Sequence, residues 1–308
     1  MPEIVISEFM DEAAIRASFK DRDVLYDPQL VDDPVRLVAA LRDARALIVR
    51  NRTQVRGALL AAATRLEVVG RLGVGLDNID VPACEARGIA VYPATGANDL
   101  SVAEYVITAA LMLLRRAWFA SARVAAGEWP RTELMGRELA GKRLGLVGYG
   151  AIARVTARMA RDLGMSVAAY DPLLPADHAA WAGVQHQTFA QLLADSDVIS
   201  LHVPLTDATR NMIDAGAIAA MRRGAILVNA ARGGVVDEAE LCAALRSGHL
   251  GGAALDVFAR EPVDAASGAP FAGITNLILT PHIAGVTEES NVRVSAVTAE
   301  AVARHLGT

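Results

Sequence analysis

The sequence predicts an α/β protein of two domains built on parallel sheets, and three observations carry that prediction. Short apolar runs alternate with amphipathic stretches along nearly the whole chain, the pattern of a parallel sheet with helices on its faces. A glycine-rich unit near the middle, residues 144–153, reads as strand, tight turn and helix. The length of 308 residues favours two domains of ordinary size, each able to bury a core.

Ile4–Ile6 reads as the first strand, residues 11–19 as a helix with its apolar side chains on one side, and Val24–Tyr26 as the next strand. A helix over residues 34–42 begins on a favourable proline. Strand Ala46–Val49, a helix over 57–63 and a strand over 66–70 follow. Residues 71–80 superficially repeat the glycine motif, but its third position is Asn78 and no long helix follows. The N–H groups of Val74 and Gly75 are instead suited to a small anion such as a carboxylate; the other reading is a plain turn from strand to helix. A short helix over 81–87 is stopped by Gly88, and a strand over 89–92 ends at Pro93. Ser101 and Glu104 have the spacing of a capping box, and the helix they open carries a stripe of Val102, Val106, Ala109, Ala110, Leu113 and Leu114. That helix is expected to bridge the two domains. Residues 115–140 hold another helical piece and the turn-like Gly127-Glu-Trp-Pro130. Packing is the default role for Trp129 and Arg131, with a subunit contact or a lid as alternatives.

In the central unit, Gly148 lets the backbone turn sharply, Gly150 leaves room for a pyrophosphate, and Ala153 keeps the helix close to the strand. The helix start offers N–H groups to phosphate oxygens. The next strand, over 165–170, ends in Asp171, at the distance where a carboxylate takes a ribose 2′-hydroxyl and repels a 2′-phosphate. The unit therefore predicts NAD rather than NADP as cofactor.

Beyond Asp171 the alternation continues with a helical stretch at 191–194, an apolar run at 197–204 and a helix around 215–221. A buried strand over 225–229 is followed by a helix to Ser247 capped by Asp237 with Glu240, and strands over 253–256 and 277–280 close the series. The composition is that of a compact, ordered chain, 53% hydrophobic and 21% charged. A net charge of −5 leaves no electrostatic footprint for nucleic acid or an anionic membrane. Cys84 and Cys242 have neither metal-ligand nor redox spacing, so they read as inert buried thiols and no metal is expected. The first residues lack a signal-peptide pattern and no apolar run spans a bilayer, so the expected location is the cytoplasm.

Three side chains follow strands at the carboxyl edge of the sheet, where open α/β folds place function: Arg232, Glu261 and His282. A guanidinium fork matches a carboxylate, an imidazole exchanges a proton near neutral pH, and a glutamate on that imidazole holds its tautomer. Singly they also read as a surface charge, a turn residue before Pro262 and a helix-start histidine. As a set beside NAD they suit hydride transfer at C2 of a hydroxy acid, His282 taking the hydroxyl proton and Arg232 the carboxylate.

The runs Asn229-Ala-Ala-Arg-Gly-Gly-Val-Val-Asp237, Gly252-Ala-Ala-Leu-Asp-Val-Phe-Ala-Arg-Glu-Pro262 and Thr280-Pro-His-Ile-Ala-Gly285 resemble the D-isomer-specific 2-hydroxyacid dehydrogenases. Gly73-Val-Gly-Leu-Asp-Asn-Ile-Asp80 and His202-Val-Pro-Leu-Thr206 do so too, and the resemblance spans nearly the whole chain. It implies two Rossmann/flavodoxin-like domains with the active site in the cleft between them. Residues 1–98 with 286–308 would form the substrate domain and 99–285 the NAD-binding domain. It puts the catalytic roles on Arg232, Glu261 and His282, and a homodimer is implied, joined through the helix that begins near Ser101. Cofactor contacts would fall on Gly148, Gly150, Ala151, Ile152, Asp171, His202, Val203, Pro204, Thr209, Ala230, Arg232, Asp256, His282 and Gly285.

Ala46-Leu-Ile-Val-Arg-Asn-Arg-Thr53 and Tyr170-Asp-Pro172 look most like the phosphoglycerate dehydrogenase branch. Extra regulatory domains of the kind many phosphoglycerate dehydrogenases carry are not expected, nor is feedback by serine through such a domain. Substrate contacts are expected at Arg50, Asn51, Arg52, Val74, Gly75, Arg232 and His282. Arg50 and Arg52 read either as partners for a distal anion or as solvated charges at a strand end. The implied substrate is a D-configured 2-hydroxy acid or its 2-keto acid with a C3 anion, of the 3-phosphoglycerate or (S)-3-sulfolactate type. Glycerate, hydroxypyruvate or glyoxylate chemistry is the alternative, and a non-enzymatic NAD-sensing module, like the C-terminal binding protein co-repressors, is a further one.

Overall fold

A computed structural model describes residues 2–117 and 119–307; the expected domain limits at residues 1 and 308 lie outside the described residues. The chain divides into two compact units, Met1–Asn98 with Val286–Thr308 and Asp99–Gly285.

The first unit is built on strands β1 (Ile4–Ile6), β2 (Val24–Tyr26), β3 (Ala46–Val49), β4 (Val68–Arg71) and β5 (Ala90–Pro93). Among the described residues they form one five-stranded sheet in the order β2-β1-β3-β4-β5, parallel throughout, with Ile4 in register with both Val24 and Ala46. Its helices α1 (Glu12–Ser18), α2 (Pro34–Leu41), α3 (Gly57–Ala62) and α4 (Val81–Ala86) connect consecutive strands. Asp11, Asp33 and Asp80 each cap one of them by accepting an N–H of the first turn. Burial on both faces explains why the inner strands β1 and β3 read as continuous apolar runs. Ile4, Ile6 and Ile48 point to one core, and their neighbours Val5, Leu47 and Val49 to another that includes Leu37, Leu60 and Cys84.

The second unit opens with α5 (Asp99–Arg115) and α6 (Ser121–Ala125), then β6 (Arg143–Val147), α7 (Ala151–Asp162), β7 (Ser166–Tyr170), β8 (Gln185–His186) and α8 (Phe189–Asp195). It continues with β9 (Val198–Leu201), α9 (Ala215–Ala220), β10 (Ile226–Asn229), α10 (Glu238–Arg246), β11 (Gly252–Leu255), α11 (Ala265–Gly268) and β12 (Leu277–Leu279). The described strands form a seven-stranded parallel sheet in the order β12-β11-β10-β9-β6-β7-β8. The chain moves outward from β6 through β7 to β8 and then returns to β9 on the other side. This reversal makes the carboxyl ends of β6 and β9 the topological switch point, where such sheets bind ligands. The last helix, α12 (Glu288–His305), belongs to the first unit, where Val294, Ala299 and Val302 complete the core behind β1 and β3.

Some local expectations are corrected. Helix α5 begins at Asp99, so Ser101 lies inside its first turn, buried, and does not cap it; a carboxylate at the helix start favours that earlier beginning. The strand expected over 66–70 runs over Val68–Arg71 instead. Trp129 is 80% exposed and Arg131 is exposed, so burial in the chain's own core is not their role. Strand β8, two residues long, has no counterpart in the sequence pattern. Both cysteines are free and buried, and burial pushes their thiols up. Among the described residues no helix is long and apolar enough to cross a membrane.

Candidate active site

Strand β6 delivers the chain to Gly148, whose φ of +88° is left-handed. A Cβ there would stand 2.5 Å from the His202 carbonyl oxygen, so the turn needs glycine on two counts. Gly150 begins α7 without a side-chain cap, and a Cβ built on it meets no heavy atom within 4 Å. Open space over an uncapped helix start, with the N–H groups of Ala151 and Ile152 in its first turn, fits the pyrophosphate of a dinucleotide. Ala153 is fully buried, as close packing of the helix on the sheet requires.

Asp171 follows β7. Its Oδ2 accepts the Tyr149 N–H at 2.8 Å and its Oδ1 the Leu173 N–H at 2.9 Å. A carboxylate has acceptor positions for about four hydrogen bonds, so two remain for a ribose diol. Beside it lies a cavity of about 350 Å³ lined by Asp171 and polar side chains such as Gln187, Thr188 and Gln191, with no lysine or arginine to neutralise a 2′-phosphate. These residues fit NAD.

Residues 202–209 follow β9, which flanks β6 on the side away from β7 and Asp171. Thr209 Oγ1 donates to the Pro204 carbonyl at 2.6 Å and accepts the Thr206 N–H at 2.8 Å, closing its own turn, while Val203 reaches toward Gly148. His202 Nε2 lies 3.0 Å from the buried Ser200 hydroxyl. Burial pushes its imidazole down to about 4. The unfolded chain takes up a proton below the ordinary histidine value, about 6.5, which the folded protein refuses until about 4. Stability is therefore lost as pH falls through that window. Between pH 7.5 and pH 5 the wild type is expected to lose roughly 2 kcal/mol more than His202→Gln in urea unfolding. Equal losses in both would show that His202 does not carry this dependence.

The catalytic candidates meet at the carboxyl ends of β10, β11 and β12. Asn229, buried at the end of β10, donates to the Arg232 carbonyl at 2.9 Å and accepts the Ala231 N–H at 3.1 Å, which shapes the loop containing Ala230 and Arg232. A Cβ at Gly233 would overlap the carbonyl group of Phe258, so only glycine lets this loop lie against the turn leading to Glu261. Arg232 Nη1 donates to the Ala231 carbonyl at 2.6 Å, and its charge acts on Glu261.

Glu261 Oε2 pairs with His282 Nδ1 at 2.8 Å, and Oε1 accepts the Phe258 N–H at 2.9 Å. Burial works to raise the Glu261 carboxyl. The His282 hydrogen bond, the Phe258 N–H and the charges of His282 and Arg232 outweigh it and hold the group below its usual range. The ionised glutamate accepts a hydrogen bond from Nδ1–H, which leaves Nε2 as the nitrogen for a substrate. His282 adopts a left-handed φ of +57°, and the backbone around it is held firmly. Asp256, 1% exposed, accepts the N–H groups of Ile283 and Ala284 on its two carboxyl oxygens, each at 2.8 Å, while its carbonyl takes the His282 N–H at 2.8 Å. Thr280 donates to Asp256 at 2.6 Å and meets the Tyr105 hydroxyl of α5 at 2.6 Å. Burial raises the Asp256 carboxyl, and it pushes the Tyr105 phenol up to about 12. Gly285 closes the second unit just beyond this loop.

In the first unit the structure tells the two candidate arginines apart. Arg52 forms an exposed ion pair with Asp32, and this bond holds its guanidinium above the ordinary arginine range. Arg50 is half-buried, and burial pulls its guanidinium down. Its side chain donates to the neutral amide oxygen of Asn291 and lies 5.5 Å from the centre of the Phe9 ring, a cation–π distance. Asn51, between them, is exposed. Asn78 donates to the carbonyls of Arg50 (3.1 Å) and Thr53 (2.7 Å), which joins the loop at 50–53 to the turn of Val74 and Gly75. Sequence reasoning singled out neither Asn78 as a brace nor Glu8, Phe9, Tyr105, Thr280 and Asn291.

Residues 107–284 match the NAD binding domain of the D-isomer specific 2-hydroxyacid dehydrogenases. The chain belongs to that family. The enzyme is thus an NAD-dependent oxidoreductase acting on 2-hydroxy acids, and the fold of two parallel sheets is the family's. It is 56% identical over 308 residues to an (S)-sulfolactate dehydrogenase of Chromohalobacter salexigens, an alignment covering 100% of this chain and 99% of that protein. It is 40% identical to a D-3-phosphoglycerate dehydrogenase of Mycobacterium leprae over 98% of its own length but only 56% of that protein's. Among solved structures, D-lactate dehydrogenase from Aquifex aeolicus, complexed with NAD and lactic acid, superposes with a TM-score of 0.84 at 29% identity, covering 97% of this chain and 94% of that one.

Proposed function

We propose that this dehydrogenase interconverts (S)-3-sulfolactate and sulfopyruvate with NAD, reading the C3 sulfonate with Arg50. The observation that carries the substrate assignment is Arg50 itself, half-buried and bonded to a neutral amide, whereas Arg52 is engaged by Asp32. The likeness to an (S)-sulfolactate dehydrogenase over the full chain supports the same reading.

Bound NAD supplies the hydride acceptor, held through Gly148, Gly150, the start of α7 and Asp171. Arg232 binds the C1 carboxylate and polarises the C2 oxygen. As the C2 hydride leaves, His282 Nε2 takes the hydroxyl proton, and Glu261 stabilises the resulting imidazolium through Nδ1. In the reverse direction His282 returns that proton to the ketone oxygen. Val74 and Gly75 offer backbone N–H groups to the substrate carboxylate. We further propose a cytoplasmic homodimer. Two buried free thiols suit a reducing compartment, and the exposed Leu100 and Leu111 of α5 are apolar surface that a second copy would cover.

The test is NADH oxidation with sulfopyruvate, phosphohydroxypyruvate, hydroxypyruvate and glyoxylate, with NADPH as control. The expected result is a kcat/KM for sulfopyruvate at least about tenfold above that for hydroxypyruvate, the scale of one charge-assisted contact. Hydroxypyruvate or glyoxylate turned over equally well would overturn the C3-anion reading and move the enzyme to the glycerate-type reductases.

A further inference from the structure

Glu8 follows β1 and is only 4% exposed, an unusual place for a carboxylate without a salt bridge. Its Oε1 accepts the N–H groups of Arg50 (2.8 Å) and Thr53 (3.0 Å), and its Oε2 that of Arg52 (3.1 Å). The loop that presents both arginines is thus wrapped around one buried negative charge. The Ser7 hydroxyl, 2.9 Å from that of Thr53, and the Asn78 amide hold the same loop from either side. The field of Glu8 reaches both guanidinium groups, and Asp32 pairs with Arg52. Arg50 and Arg52 carry two positive charges, and Glu8 and Asp32 two negative ones.

We propose that Glu8 is a specificity-determining residue: with Asp32 it brings the arginine loop to zero net charge, so that the loop binds a monoanionic sulfonate and disfavours a phosphate. The inference rests on the reading of Arg50 as the group that meets the C3 anion. A sulfonate carries one negative charge at any physiological pH, whereas a phosphate monoester carries about −1.5 to −2 at pH 7. The guanidinium of Arg50 supplies hydrogen-bond donors to either anion. A neutral cluster, however, does not repay the desolvation of the second charge on a phosphate, and the buried carboxylate repels it. Two arginines in a motif otherwise suited to phosphate thus serve a singly charged ligand.

The test measures the ratio of kcat/KM for phosphohydroxypyruvate to that for sulfopyruvate in the wild type, Glu8→Gln and Asp32→Asn. Glu8→Gln keeps the side-chain length and removes the charge; the ratio is expected to rise on the order of fivefold, from one added charge acting through a partly screened medium. Loosening of the loop alone would weaken both anions alike and leave the ratio where it was. Asp32→Asn releases the charge of Arg52 at an exposed site and is expected to shift the ratio the same way, by about twofold after solvent screening. An unchanged ratio in Glu8→Gln overturns the proposal, and if that variant does not fold, an unchanged ratio in Asp32→Asn overturns it. Failure of the underlying reading appears separately, in the wild type, as indifference to the C3 anion.

Discussion

Replacing His282 by glutamine is expected to lower turnover about a thousandfold, within the range that a positioned general acid–base supplies, while NADH binding stays within about twofold. The asymmetry follows from where the groups sit. His282 is held by Glu261 at 2.8 Å and by the backbone clasp of Asp256, whereas the turn of Gly148 and Gly150 belongs to another part of the sheet's edge. Glutamine can still hydrogen-bond Glu261 but cannot carry the proton. Glu261→Gln is expected to be milder, about tenfold to a hundredfold, since it removes the stabilisation of the imidazolium and leaves the base in place. Because Glu261 is held below its usual range, it stays ionised down to pH values below about 4.5 and adds no acid limb to the rate profile above pH 5. Steady-state kinetics and a fluorescence titration with NADH check both variants. Parallel loss of cofactor binding and turnover in His282→Gln would contradict the assigned role.

Gly233→Ala is expected to be the most damaging single methyl group in the second unit. The added Cβ overlaps the backbone carbonyl of Phe258, which cannot swing away as a side chain can. Overpacking costs about 1–3 kcal/mol, and contact with backbone that cannot move puts this site at the upper end, about 3 kcal/mol. For a unit of this size that corresponds to a fall in Tm of roughly 6–12 °C. Relief requires the loop of Arg232 and the turn of Glu261 to separate. Turnover is therefore expected to fall about a hundredfold at temperatures where the variant is still folded, the cost of misplacing a catalytic group by about 1 Å. Thermal unfolding and kcat measured on the same sample decide it. A variant that melts with the wild type and retains its turnover would show that the two segments are not held against each other.

The sheets were legible in the sequence because inner strands such as β1, β3, β9 and β10 are buried on both faces and so read as unbroken apolar runs. Helix starts were legible where a first-position proline or a capping aspartate marks them, as Pro34 and Asp237 do. The exception is instructive. Ser101 and Glu104 have capping-box spacing, yet the helix has already begun at Asp99, since a local pattern does not reveal which of two nearby polar residues the backbone will use. Strand β8 is too short to show any periodicity. Arg232, Glu261 and His282 could be named because each follows a strand at the functional edge of the sheet. Glu8, Tyr105 and Asn291 could not, because their meaning lies in partners 42, 175 and 241 residues away. In the sequence Asn78 only interrupts a glycine motif; in the structure it braces the loop at 50–53 through the carbonyls of Arg50 and Thr53.

Helix α12 bears on how the protein is made. The apolar layer behind β1 and β3 is completed by Val294, Ala299, Val302, Ala303 and Leu306, residues that leave the ribosome after the whole of Asp99–Gly285 has been synthesised. The sheet translated first is therefore the last to be sealed. During synthesis Ile4, Ile6 and Ile48 have only part of their cover on that side, from Met10, Ala14 and Phe19, while the NAD-binding unit already has its complete sequence and can fold as a unit. The nascent chain thus presents a half-covered β-sheet to the cell for most of its translation, a surface for chaperones until its final helix arrives.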